Sequence, residues 1–273
     1  MSTCIETERA QRTTTQRTAA KPPREKERRP ITLSDRDLAI FGWMAEHRFS
    51  TKELLVDRFY SSSTRIQPGT TPSGRYGAQR IGQLEREGYL RRSRYRVHST
   101  APLLLSDLGY RLLHGRELAL GYHPLADLDI ESFEHDVWTQ RLRIAFERDL
   151  GCSRWRTERA LKMAAGKAGL PYVPDARFYS PNGQAWNLEV ERAPKRADRL
   201  KAILGERAQA SRKSAILYVL DRRFSEFYRD LMAITPNPGV FFITHFDDLS
   251  RVTAGANGWH PMPIKKVFGE VRS

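Results

Sequence analysis

Three carboxylates are spaced to do chemistry: Asp175 in Pro174-Asp175-Ala176-Arg177-Phe178, and Glu189 and Glu191 in Asn187-Leu188-Glu189-Val190-Glu191. Oxygen ligands of this type suit Mg2+, which polarises a phosphate and generates hydroxide from bound water. Read as two strands joined at Ser180-Pro181-Asn182-Gly183, the segments make a hairpin with a three-residue loop. Pro fits the second turn position, Asn the third, and Gly the place that needs a positive φ. That loop pairs Phe178 with Trp186, Ala176 with Leu188 and Asp175 with Glu189. The strand period of two puts Trp186, Leu188 and Val190 on one face, and Asn187, Glu189 and Glu191 on the other. Asp175 and Glu189 are therefore the expected metal ligands and, with Glu191, the expected catalytic acids; Glu158 is a weaker fourth ligand. A one-residue slip would separate Asp175 from Glu189 across the sheet. The alternative without metal neutralises the acids as surface ion pairs with Arg177, Arg192 and Arg196.

The elements that must position these residues belong to a strongly basic chain of 273 residues with net charge +14. That length allows two modest domains and a tail. The charge favours a polyanionic partner, with nucleic acid the best candidate. No apolar run approaches a membrane span and no apolar signal core opens the chain, so a cytoplasmic protein without a membrane partner is expected. Two cysteines, Cys4 and Cys152, exclude a disulfide framework and a cysteine zinc site. A serine-histidine-aspartate set, a phosphate loop and a dinucleotide fingerprint are all absent from the sequence.

Residues 1–30, rich in Thr, Gln, Arg and Pro, read as a disordered basic tail. Residues 31–122 read as a first domain. Ser34 caps a helix carrying Leu38, Phe41 and Ala45; Phe49-Ser50-Thr51 starts a second through Leu54, Leu55 and Phe59. After a polar loop at 61–74, a third helix runs from about Ser73 to Glu87. Tyr89 to Val97 and Pro102 to Leu105 form a hairpin, followed by a small helix at Ser106 to Leu113. This order is that of a winged helix-turn-helix. The third helix buries Ala78, Ile81 and Leu84 and presents Arg75, Gln79, Gln83 and Arg86, side chains able to grip guanine and adenine edges. The wing adds Arg91, Arg92, Arg94 and Arg96. A solvated helix face is the bland reading, but helix order, Arg/Gln face and basic wing coincide, and the expected partner is double-stranded DNA. Arg75 and Gln79 are the expected base readers, the wing arginines phosphate holders.

A linker near Tyr122-His123-Pro124 leads into residues 123–273. A helix from Glu131 to Asp149, a strand at Arg154 to Thr157, the acidic hairpin, a basic helix from Arg196 to Ala210, a strand at Ala215 to Leu220, a helix from Phe224 to Met232 and a strand at Val240 to Thr244 predict a mixed α/β domain. The chain as a whole is thus expected to be α+β. Basic residues over 192–213 suit a DNA backbone or a plain solvated helix. His135, on the apolar face with Leu142 and Phe146, reads as a buried, hydrogen-bonded histidine rather than a catalytic one. Trp138, Trp155 and Trp186 read as core.

Pro174-Asp175 with Glu189-Val190-Glu191 resembles the PD-(D/E)xK nuclease superfamily over roughly residues 131–245. The usual third-position lysine is Glu191 here. The resemblance implies a lysine displaced onto the following helix as a further catalytic residue, Lys201 foremost, with Lys195 the alternative. The whole chain resembles the replication-relaxation family of plasmids and integrative elements. That likeness rests on Asp37-Leu38-Ala39-Ile40-Phe41, Glu46-His47-Arg48-Phe49-Ser50-Thr51, Leu84-Glu85-Arg86-Glu87-Gly88-Tyr89-Leu90 and Leu105-Ser106-Asp107-Leu108-Gly109, together with the acidic hairpin. It implies DNA binding in replication, mobilisation or control of a mobile element, with a homodimer and mobile-element replication or transfer proteins as further partners. The second half would then be a metal-dependent endonuclease using Mg2+, or the dimerisation and docking part of a non-enzymatic transcriptional regulator.

Overall fold

A computed structural model describes residues 31–61, 72–97, 101–118, 121–166, 172–210, 214–254 and 261–268. The expected tail at 1–30 and most of the loop at 61–74 lie outside them.

Helix α1 (Asp35–His47) begins where the sequence says it should. Ser34 Oγ accepts from the Asp37 amide, and the Asp37 carboxylate accepts from the Ser34 amide at 2.8 Å, closing a reciprocal cap. Asp37 is fully buried because Arg80 holds it with two bonds, 2.7 and 3.1 Å long. Phe49–Ser50 is a short strand, β1, rather than the start of a helix; pairing with Leu104 and Leu103 outweighs local helix propensity. Thr51 then caps α2 (Lys52–Tyr60) through the Leu54 amide. Helix α3 (Pro72–Arg86) crosses α2 so closely that a Cβ on Gly77 would lie 2.5 Å from the Tyr60 ring. Only glycine permits that approach. Strands β2 (Leu90–Arg92) and β3 (Leu103–Leu105) complete an antiparallel sheet of order β1-β3-β2, and α4 (Asp107–Gly115) follows.

The second half is built on a seven-stranded sheet. Its elements are α5 (Phe133–Asp149), β4 (Ser153–Thr157), α6 (Glu158–Ala165), β5 (Ala176–Tyr179), β6 (Ala185–Glu191), α7 (Ala197–Ala210), β7 (Ala215–Leu220), α8 (Ser225–Ala233), β8 (Phe241–His245), β9 (Asp248–Ala254), β10 (Pro261–Pro263) and α9 (Ile264–Phe268). The strand order is β10-β9-β8-β7-β6-β5-β4, parallel through β6, β7 and β8 and antiparallel outside them. Helices α7 and α8 make the two parallel crossovers, which require a long connection. Trp186, Leu188 and Val190 pack with Leu142, Phe146 and Phe268 on one face; Ile216, Tyr218 and Leu220 pack with Leu200, Leu204 and Met232 on the other. Each fully buried large apolar side chain contributes roughly 1.5–3 kcal/mol. The protein is therefore mixed α+β, as its sequence predicts.

The halves meet through buried polar contacts within one compact unit, Leu33–Ser273. Gln140 of α5 is 0% exposed; it accepts from Trp43 Nε1 at 3.0 Å and Ser50 Oγ at 2.7 Å, and donates to the Phe49 carbonyl at 3.0 Å. Phe49 stacks on Phe133, and Arg143 reaches Glu46 at 2.8 Å. The segment at Tyr122-His123 is pinned as well: Arg159 donates to the His123 carbonyl at 2.8 Å and to that of Ala45 at 2.6 Å.

Candidate nucleic-acid interface and the carboxylate cleft

The acidic hairpin has the expected register. Ala176 pairs with Leu188, Arg177 with Asn187 and Phe178 with Trp186, while the Ser180 amide donates to the Gln184 carbonyl at 3.0 Å. Gly183 supplies the turn with a φ of 82°. Asp175 falls one residue beyond the paired strand, opposite Glu189. Both line a cleft of about 540 Å³ together with His135, Glu191, Lys195 and Arg207, and with Arg192, Arg196 and Arg199 around them.

Every carboxylate oxygen of the central pair has a protein donor. Asp175 Oδ1 faces His135 Nε2 at 3.3 Å, and Oδ2 accepts from the Val190 amide at 2.8 Å. Glu189 Oε1 accepts from the Tyr172 hydroxyl, and Oε2 meets the Arg207 guanidinium at 2.6 Å. Lys195 pairs with Glu191. Glu189 is buried and Arg207 is largely shielded, with side chains 4% and 13% exposed. Burial opposes charge on His135, yet the hydrogen bond and charge of Asp175, with Asp136 and Glu191 behind, raise its pKa to about 9. The same bond holds Asp175 below the usual carboxylate range although burial alone would raise it. Burial first, then the Asp175 charge, push Glu189 well up against the pull of Arg207 and Tyr172.

These contacts decide whether Mg2+ fits. An ion touching both Asp175 and Glu189 would have to displace donors from each and leave the shielded Arg207 guanidinium without its carboxylate. Among the described residues no group of three or more His, Cys, Asp and Glu side chains is arranged to hold a metal. As arranged, the residues do not fit a divalent ion. Glu158 turns instead to Lys162 at 2.5 Å and Arg48 at 3.7 Å.

Several expected partners are elsewhere. Lys201 is exposed on α7 and outside the cleft, because it stands one residue from Leu200 and so about 100° around the helix from the buried stripe. Lys195 is the lysine brought to the acids. Arg177 bonds Asn187 at 2.9 Å and Arg192 pairs with Glu134, so of the three arginines expected to neutralise the acids only Arg192 and Arg196 reach the cleft rim.

On α3, Ile81 and Leu84 are fully buried, while Arg75, Gln79 and Arg86 are exposed on the opposite side. Gln83 is half-buried and accepts from Arg80 at 2.9 Å. After β2, Arg96 is exposed, but its neighbours are engaged: Arg91 bonds the Leu125 and Ala126 carbonyls, Arg92 pairs with Glu85, and Arg94 meets Asp127 at 2.7 Å. Asp127 also accepts from Ser93 Oγ at 2.7 Å, so the segment joining the halves holds the wing in place.

Sequence reasoning passed over Arg207, Tyr172, Arg80 and Tyr76. Arg207 had a signal: it lies seven residues after Leu200 and three after Leu204, a charge inside the apolar stripe of a helix. Tyr76 is 58% exposed beside Arg75 and packs edge-on against Tyr60 at 6.0 Å between ring centroids. No family model, curated protein or solved structure matches the chain.

Proposed function

We propose that this chain is a sequence-preferring, double-stranded DNA-binding protein whose first half is a winged helix-turn-helix. The observation that carries the reading is the division of α3: Ile81 and Leu84 buried beneath, Arg75, Gln79 and Arg86 exposed above. Arginine and glutamine so placed can make bidentate contacts to base edges, each about 1–3 kcal/mol of discrimination. Arg96 and the cleft-rim residues Arg196 and Arg199 are exposed cations suited to phosphate. The reading of the second half as a PD-(D/E)xK-like domain is supported by its mixed seven-stranded sheet and rests on the sequence resemblance. Of its two roles, cutting DNA or serving a regulator without chemistry, the occupancy of Asp175 and Glu189 favours the second. The setting in a plasmid or integrative element rests on the sequence resemblance.

The test starts from a duplex selected from a random pool. Wild type should bind it more tightly than an unselected duplex, and Arg75→Ala with Gln79→Ala should lose that preference while keeping most non-specific binding. Equal loss on both duplexes would remove the base-reading role. A plasmid-nicking assay with Mg2+ or Mn2+ addresses the second half: wild type, Asp175→Ala and Glu189→Ala should share one background rate.

A further inference from the structure

The geometry points to Arg207 as a built-in cation that occupies Glu189 in place of a divalent ion, so that this cleft is closed to metal unless Arg207 is removed. Three features of the cleft converge. The guanidinium meets Glu189 Oε2 at 2.6 Å, while the remaining oxygens of the pair accept from Tyr172, His135 and the Val190 amide. Arg207 is itself held: it donates to the Tyr218 hydroxyl, and its guanidinium lies 5.1 Å from the Tyr172 ring centroid and 5.5 Å from that of Tyr218. Such a planar cation between two rings is fixed in place, not a mobile surface charge that an ion could brush aside. Finally, each of the three acids already has a basic partner: Asp175 has His135, Glu189 has Arg207 and Glu191 has Lys195. A divalent ion added to that set would bring two uncompensated charges into a partly buried site.

This inference concerns the cleft alone and stands apart from duplex recognition, so failure to find a DNA site would leave it intact. Its test is Mn2+ titration of the full chain followed by electron paramagnetic resonance, with Mn2+ as the only ligand. Wild type should show no saturable site up to about 100-fold excess over protein. Arg207→Met, which keeps an unbranched stem but neither the guanidinium nor its charge, should gain one site. Arg207→Met combined with Glu189→Gln should lose it again. Circular dichroism reports whether each variant is folded. One saturable Mn2+ in wild type, lost in Glu189→Gln, overturns the inference, and so does a folded Arg207→Met that gains none. If Arg207→Met does not fold, the wild-type titration against Glu189→Gln still decides: one site lost overturns, no site sustains.

Discussion

Removing the Arg207 guanidinium should destabilise the fold through the charge it leaves behind. Two unit charges 2.6 Å apart attract by about 6 kcal/mol at an effective dielectric of about 20. Desolvation offsets part of that, and breaking a buried pair by deleting one partner typically costs about 3–5 kcal/mol. Arg207→Met also loses the bond to Tyr218 and the guanidinium's contacts with the Tyr172 and Tyr218 rings. The expected loss is therefore about 3 kcal/mol near neutral pH, read from urea unfolding followed by tryptophan fluorescence. With a slope of about 3 kcal/mol per molar, the midpoint should fall by about 1 M. Glu189→Gln in the same chain should restore most of it, because no unpaired charge then remains. The deficit of Arg207→Met should also shrink as pH falls and Glu189, already pushed up by burial, takes a proton. A loss under about 1 kcal/mol, or a double variant as unstable as the sum of the singles, would refute the argument.

Gln140→Ala should cost about 3 kcal/mol in the same assay, since it strands the Trp43 indole N–H and the Phe49 carbonyl in a buried junction; a loss below 1 kcal/mol would mean that water replaces the amide. Gly77→Ala puts a methyl 2.5 Å from the Tyr60 ring and should cost about 1–3 kcal/mol while weakening duplex binding through displacement of α3, with anisotropy titration as the readout. His135, raised to about 9 in the folded protein against about 6.5 unfolded, stabilises fully below pH ~6.5, and that contribution fades as pH rises through about 9. Urea midpoints from pH 6 to 9.5 should fall more steeply in wild type than in His135→Gln; parallel profiles would sink the pairing with Asp175.

Local chemistry wrote much of this fold into the chain. Ser34 and Asp37 form a reciprocal cap at the spacing that marks a helix start, and the Pro181-Asn182-Gly183 loop favours the register that sets Asp175 opposite Glu189. The alternation Trp186, Leu188, Val190 likewise named the apolar face of β6, although Asn187, Glu189 and Glu191 on the other face are buried too. What those acids meet was not local. Arg207 lies 18 residues after Glu189, Tyr172 precedes it by 17, and His135 belongs to a helix 40 residues before Asp175; the crossover of α7, the packing of α5 and the segment entering β5 bring them together. The same holds for Phe49–Ser50, whose own propensity does not forecast a strand until Leu103 and Leu104 arrive beside it. Periods and turns are set by neighbouring covalent geometry, whereas the partner of a buried charge is chosen by whichever distant element the chain packs over it.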